Sequence, residues 1–267
     1  MSLNDLRITI IQTEIIWENK QENLRSLRSK LEKLCGETDL VVLPEMFSTG
    51  FSMRPETFAE SMNGATIEWM RNIAQTKNVV LTGSLMIKDN NLYFNRLVWI
   101  LPNGEIGYYD KRHLFGFGKE DEHYTCGKKR LMVSVNGWKI NLQVCYDLRF
   151  PVWARQNMQE NQGNPEYDVL INVANWPEKR SHAWKSLLIA RAIENQCYVI
   201  GVNRVGYDGK EIYHSGDSMA IGPLGEILFE KSHDECVFTI ALDKTQLDDV
   251  RNQFPFLRDA DYFSISE

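Results

Sequence analysis

The chain has 267 residues, 43% hydrophobic and 25% charged, an ordinary globular balance that supplies a sizeable core and excludes a disordered chain. Its formal net charge of −6, with the basic residues scattered, excludes the basic footprint of a nucleic-acid binder. Five cysteines at positions 35, 126, 145, 197 and 236, with no CxxC pair, make neither a disulfide framework nor a zinc signature and point to a reducing cytoplasm.

In chain order, short β-rich runs alternate with helical stretches, the pattern of a layered α/β domain. No long apolar run marks a signal peptide or a membrane span. Arg7–Thr13 reads as a strand, and Glu22–Cys35 as a helix with Leu24, Leu27, Leu31 and Leu34 on one face. Asp39–Pro44 is a buried strand, Thr66–Lys77 a helix and Val79–Ile87 a strand. Two runs around Asn103-Gly104 form a hairpin, because Asn-Gly suits the left-handed turn a hairpin needs. A polar loop runs from Arg112 to Gly127, and the strand Lys139–Val144 leads into Cys145. Phe150 to Asn161 reads as a helix, with Pro151 tolerated in its first turn. Asp168–Val173, Tyr198–Asn203 and Cys236–Leu242 are strands, His182–Gln196 is a helix, and a second hairpin turns at Pro223-Leu224-Gly225. The sum is a sandwich with two sheets inside and helices outside.

Three reactive side chains sit where buried apolar strands end, the place where α/β architectures frame a ligand crevice. Glu45 follows Val41-Val42-Leu43-Pro44, Lys111 follows Ile106–Asp110, and Cys145 follows Ile140–Val144. A thiol on a tight strand-to-helix turn lies near backbone N–H groups that lower its pKa. A glutamate directly after an apolar strand and a proline is desolvated in the way a general base requires. A lysine beside them would stabilise an oxyanion. Cys35 at a helix end, Cys126 in a loop, and Cys197 and Cys236 at strand starts have no such setting and read as structural.

The segments Leu43-Pro44-Glu45-Met46-Phe47, Tyr109-Asp110-Lys111-Arg112-His113-Leu114-Phe115 and Val144-Cys145-Tyr146-Asp147-Leu148-Arg149-Phe150-Pro151 resemble, in order and spacing, the Glu, Lys and Cys motifs of the nitrilase superfamily. Asn172-Val173-Ala174-Asn175-Trp176-Pro177 and Arg191-Ala192-Ile193-Glu194-Asn195-Gln196 are similar to its ω-amidase branch. The resemblance implies a four-layer α-β-β-α sandwich in a single domain over 1–267. Its core would span about 5–245, with a tail of about 246–267 at the interface of a homodimer or higher homo-oligomer.

It also implies a cysteine-dependent amidase with Glu45, Lys111 and Cys145 as catalytic residues. Lys111 and the Tyr146 N–H would form the oxyanion hole, and no metal or organic cofactor would take part. A second glutamate after the lysine falls on Glu120, with Glu122 in reserve, and Trp176, Arg149 and Phe117 would bind substrate. Arg149 pairs with a carboxylate of either the protein or the substrate. The substrate implied is the terminal amide of a small α-keto acid such as α-ketoglutaramate. Carbamoyl amino acids, nitriles and an inactive binding module are the alternatives. A Cys/His hydrolase would need a histidine base for Cys145, and the context of His113, His123, His182, His214 and His233 marks none.

Overall fold

The structure, a computed structural model, describes residues 5–34, 37–158, 161 and 163–265. Five strands, β1 (Leu6–Gln12), β2 (Leu40–Val42), β3 (Val80–Asp89), β4 (Leu92–Ile100) and β5 (Ile106–Asp110), form most of a first sheet. A second sheet takes β6 (Met132–Val135), β7 (Trp138–Val144), β8 (Val169–Ala174), β9 (Tyr198–Asn203), β10 (Val205–Tyr207), β11 (Tyr213–Ile221) and β12 (Ile227–Ser232). The chain then returns to the first sheet, where β13 (Cys236–Leu242) pairs antiparallel with β1 in a register that sets Leu6 opposite Leu242. The sheet orders are β13-β1-β2-β3-β4-β5 and β10-β11-β9-β8-β7-β6, with β12 alongside β11.

Alternation along the strands builds the layers. Ile8 and Ile10 of β1, Leu40 and Val42 of β2, and Ile140, Leu142 and Val144 of β7 turn inward into one core between the sheets. The opposite face of the first sheet packs on α1 (Lys20–Glu32), through Leu27 and Leu31, and beyond the short α2 (Pro55–Phe58) on α3 (Ala65–Lys77), through Ile67, Met70 and Ile73. After two short helices, α4 (Glu120–His123) and α5 (Pro151–Ala154), α6 (Ser181–Asn195) covers the second sheet through Trp184, Leu188 and Ala192. Helices and sheets therefore stack in the expected α-β-β-α order. No helix among the described residues is long and apolar enough to cross a membrane.

Both expected hairpins form, with Gly104 at φ +88° and Gly225 at φ +93°, conformations a side chain resists. A third joins β3 to β4 through Asn90 and Asn91, both at positive φ, and the sequence reading passed over it. The expected helix over Phe150–Asn161 is a correction: only Pro151–Ala154 is helical. Beyond it the chain is bound elsewhere, because Gln156 donates from its backbone and its amide to Asn195 of α6, and the Asn157 N–H donates to Glu166. These tertiary hydrogen bonds outbid a local helix. Positions 159 and 160 of that stretch, and the Cys35 expected to end the first helix, lie outside the described residues. The core also runs past 245, since α7 (Lys244–Gln253) buries Leu247 and Val250.

Candidate functional site

β2 in the first sheet and the parallel neighbours β7 and β8 in the second lead into Glu45, Cys145 and Asn175 within a few residues of their C-terminal ends. Lys111 follows β5, and Asn95 lies within β4. One sheet supplies Glu45, Asn95 and Lys111; the other supplies Cys145 and Asn175.

Lys111, Glu45, Glu120 and Asn95 are fully buried. The Lys111 ammonium lies 3.0 Å from Glu45 Oε1 and 2.8 Å from Glu120 Oε2, and also donates to Glu120 Oε1 at 3.1 Å. Asn95 Nδ2 donates to both carboxylates, at 2.8 Å to Glu45 and 2.9 Å to Glu120. The Asn95 side-chain oxygen, Oδ1, accepts in turn from the Ser84 hydroxyl at 2.8 Å. Backbone donors complete the set: Asn175 N–H to Glu45 Oε2 at 2.7 Å, and Phe115 N–H to Glu120 Oε2 at 2.7 Å. Burial alone would discharge the lysine, but the Glu120 and Glu45 charges outweigh it and hold its pKa above the usual value. Burial and the Glu45 charge push the Glu120 carboxyl up, against the pull of Lys111.

The reserve position, Glu122, is exposed on α4 and, among the described residues, pairs with Lys119 alone, at 3.5 Å. Those two residues separate the buried from the exposed face of a single helical turn.

Cys145 stands at φ +46°, a left-handed conformation that costs a non-glycine residue of order 1–3 kcal/mol. Asp147, fully buried, stabilises the turn. Its Oδ2 accepts the Val144 N–H at 3.0 Å and the Tyr109 hydroxyl at 2.8 Å, while Oδ1 accepts the His113 N–H at 2.9 Å and contacts His113 Nδ1 at 2.8 Å. The carboxylate thereby ties the turn to β5 and to the segment after it that carries Lys111. The thiol is within hydrogen-bonding reach of Glu45. Its pKa is raised, which corrects the expectation of a lowered one: burial and the Glu45 charge push it up and exceed the opposing pull of Lys111. The resting group is a thiol.

Above this floor opens a cavity of about 240 Å³ lined by Cys145, Tyr146, Asn175, Trp176, Arg149 and Phe117, among others. Trp176 is buried and donates from Nε1 to the Arg180 carbonyl at 2.8 Å. Phe117 is exposed at the mouth beside Phe115. The Arg149 guanidinium lies 4.9 Å above the Trp176 ring, and no carboxylate of the described residues pairs with it. Sequence reasoning missed Asn95, Asp147, Asn175 and Arg180. Asn95 carries one legible signal, an amide beside Arg96 in a run otherwise made of apolar and aromatic residues from Leu92 to Ile100.

Comparison with known proteins agrees with this arrangement. Over 262 residues the chain is 42% identical to the Omega-amidase YafV of Escherichia coli strain K12, covering 97% of this chain and 98% of that protein. It is 30% identical to the 2-oxoglutaramate amidase of Bacillus subtilis strain 168, over 94% and 96% of the two chains. A CN-hydrolase superfamily protein of Xanthomonas campestris, solved with an arsenic adduct in its active site, superposes with a TM-score of 0.96 at 44% identity, over 98% of this chain and 99% of that one. The description carbon-nitrogen hydrolase matches residues 7–252, and the chain belongs to that family.

Proposed function

We propose that the protein is an ω-amidase that hydrolyses the terminal amide of a small α-keto acid, such as 2-oxoglutaramate, to the acid and ammonia. The observation that carries this reading is the Lys111 ammonium fixed between the Glu45 and Glu120 carboxylates at the foot of the cavity beside Cys145. The names of the Escherichia and Bacillus relatives support the substrate class.

The sequence of steps follows from the charges. Cys145 rests as a thiol, so Glu45 accepts its proton as the sulfur attacks the amide carbon. The developing oxyanion would be met by the Lys111 ammonium and the Tyr146 N–H. Glu45 passes the proton to the leaving nitrogen, the C–N bond breaks, and a thioester and ammonia result. A water that gives its proton to Glu45 then attacks the thioester. Collapse of the second tetrahedral intermediate frees the acid, and the proton returns to the Cys145 sulfur. Glu120 holds the ammonium in place. Asn175 Oδ1, buried at the cavity wall and without a partner among the described residues, is an acceptor available to the substrate's amide N–H.

A cytoplasmic setting and a homodimer or higher homo-oligomer belong to the same proposal. Phe256, 61% exposed, and Tyr262, 78% exposed, leave apolar surface in the C-terminal stretch of about 246–267 for a second copy to cover, and light scattering reads the assembly directly. Ammonia release from 2-oxoglutaramate, an N-carbamoyl amino acid and a nitrile, measured side by side, tests the activity. Fastest turnover of the keto-acid amide is expected, and faster release from the carbamoyl compound would overturn it.

A further inference from the structure

The Glu45 carboxylate is fixed from both sheets. Its Oε1 takes the Lys111 ammonium and the Asn95 amide, which belong to the first sheet. Its Oε2 takes the Asn175 N–H at 2.7 Å, while the Asn175 side-chain amide donates to the Glu45 backbone carbonyl at 2.6 Å. Those two bonds come from the segment that follows β8 in the second sheet. The seat of the base therefore depends on how firmly Asn175-Trp176-Pro177 is held. No strand ladder holds it, because the pairing of β8 with β9 ends where Ala174 lies beside Asn203, and Pro177 has no N–H to offer.

One side chain supplies the missing hold. Asn203, the last residue of β9, is buried. Its Oδ1 accepts the Trp176 N–H at 2.8 Å and the Arg204 N–H at 2.9 Å, and its Nδ2 donates to the Trp176 carbonyl at 2.9 Å and the Gly216 carbonyl at 2.6 Å. Two acceptances and two donations use the whole capacity of an amide. Trp176 is gripped on both its N–H and its C=O, as a neighbouring strand would grip it, so a side chain continues the ladder that stops at Ala174. Asn203 is anchored in its turn, since its backbone N–H donates to the Ser218 hydroxyl of β11 at 2.9 Å. A buried amide with every site filled has one orientation.

We propose that Asn203 is a positioning residue for the general base: by gripping Trp176 it holds the Asn175 N–H on Glu45 Oε2, and so sets the angle at which the carboxylate meets the Cys145 thiol. The role rests on the reading of Glu45 as the base, and Asn203 itself does not line the cavity. With its amide cut away, the Asn175 N–H is free to leave Oε2. The carboxylate then keeps its first-sheet partners on Oε1 and can turn about its Cγ–Cδ bond. Transfer of the thiol proton to Glu45 depends on the distance and direction between the two groups, so a small rotation slows the attack of the sulfur.

The test compares Asn203→Ala with Asn195→Ala, a second buried asparagine that lies before the opposite end of β9 and bonds to Gln156 and Arg191 instead. Both variants should lower the urea midpoint, but only Asn203→Ala should reduce kcat on 2-oxoglutaramate and the rate at which iodoacetamide alkylates Cys145, each by roughly 10- to 100-fold. The alkylation rate is then read in a Glu45→Gln background, where no base is left to position. There Asn203→Ala should change it by no more than about twofold, because two residues that act through one group are not additive. An undiminished effect in that background would overturn the proposal, as would normal alkylation in Asn203→Ala or an equal loss of kcat in Asn195→Ala. Hydrogen exchange on the wild type needs no variant to fold: the Asn175 and Trp176 amides should exchange as slowly as those of β8, and loop-like exchange would also overturn it. A wild type that hydrolyses no amide, yet gives the expected alkylation rates in all four proteins of the cycle, would leave Asn203 in its role and fail the amidase reading.

Discussion

The floor and the rim of the cavity treat charge in opposite ways. On the floor each carboxylate oxygen of Glu45 and Glu120 accepts at least one donor, and the ammonium between them is shared by both. On the rim Arg149 and Arg180 stack on rings and have no carboxylate partner among the described residues. A floor saturated with partners cannot reorient, which suits groups that must already face a charge that exists only in a transition state. A rim left unsatisfied keeps its hydrogen bonds for the ground state of a ligand. Chemistry and recognition are thus separated by how completely the protein satisfies its own charges.

The sharpest way to break this contrast is at the nucleophile. Cys145→Ala should reduce turnover roughly 10,000-fold or more, because covalent catalysis is lost outright, while the melting temperature stays near that of the wild type. Lys111→Met should behave differently. It should lower kcat by roughly 100- to 1,000-fold and also destabilise the fold by about 3–5 kcal/mol, because two buried carboxylates lose their cation. Urea denaturation beside an ammonia-release assay checks both. A stable, inactive Lys111→Met protein would mean that the floor does not need its charges balanced.

The two glutamates of α4 test how far the floor extends. Glu120→Ala removes the carboxylate that fixes Lys111 from the side away from Glu45, and a misplaced ammonium should cost roughly 100-fold in kcat. Glu122→Ala touches only Lys119 at the surface and should stay within about twofold, as exposed ion pairs do. Equal rates for the two variants would place Glu120 outside the reacting group.

Much of the floor was legible because it lies in short runs attached to strand ends: an apolar strand announces its own terminus, and Glu45, Lys111 and Cys145 stand at three of them. The layered fold was legible for a similar reason, since period-two and helical patterns are local. What stayed hidden depends on partners far along the chain. Asn95 matters only because Glu45, 50 residues away in sequence, and Glu120 fold onto its amide. Arg180 reads as a surface residue in Glu178-Lys179-Arg180 until Phe115 is placed beneath it. The stretch after Pro151 was misread as helix because its amides are claimed by α6. The thiol's pKa was misjudged in direction because the turn's N–H groups are visible in the sequence, whereas its burial and the facing carboxylates are not.

Asp147 joins the strand of Lys111 to the turn of Cys145, and Asp147→Asn probes whether the floor is held rigid from outside the reacting groups. Each of its oxygens accepts one backbone N–H, from Val144 and from His113. An amide NH₂ in either position would therefore face a donor. The variant should lose about 1–3 kcal/mol of stability and roughly 10-fold in kcat, with KM little changed. The alkylation rate of Cys145 should shift with kcat, a readout that a purely structural role would not move. A loss of stability with unaltered thiol reactivity would show that Asp147 supports the fold without positioning the nucleophile.

The rim offers a test by pH, because one titratable group there is kept uncharged. His214 lines the cavity, is buried, and has its pKa pushed down to about 4 by burial and by the Arg204 charge. Its Nδ1 lies 3.0 Å from the Ile212 carbonyl, so the neutral ring donates there. With the folded pKa below the unfolded value of about 6.5, the unfolded chain binds the extra proton between those limits, and stability falls as pH drops through that window. The contribution is fully present above about pH 6.5, and its loss approaches about 3 kcal/mol near pH 4. His214→Gln keeps a donor for the carbonyl and removes the titration. Urea midpoints at pH 7, 5 and 4 should therefore fall less steeply in the variant than in the wild type. Parallel curves would mean that His214 titrates normally and that the rim tolerates a further positive charge beside its arginines.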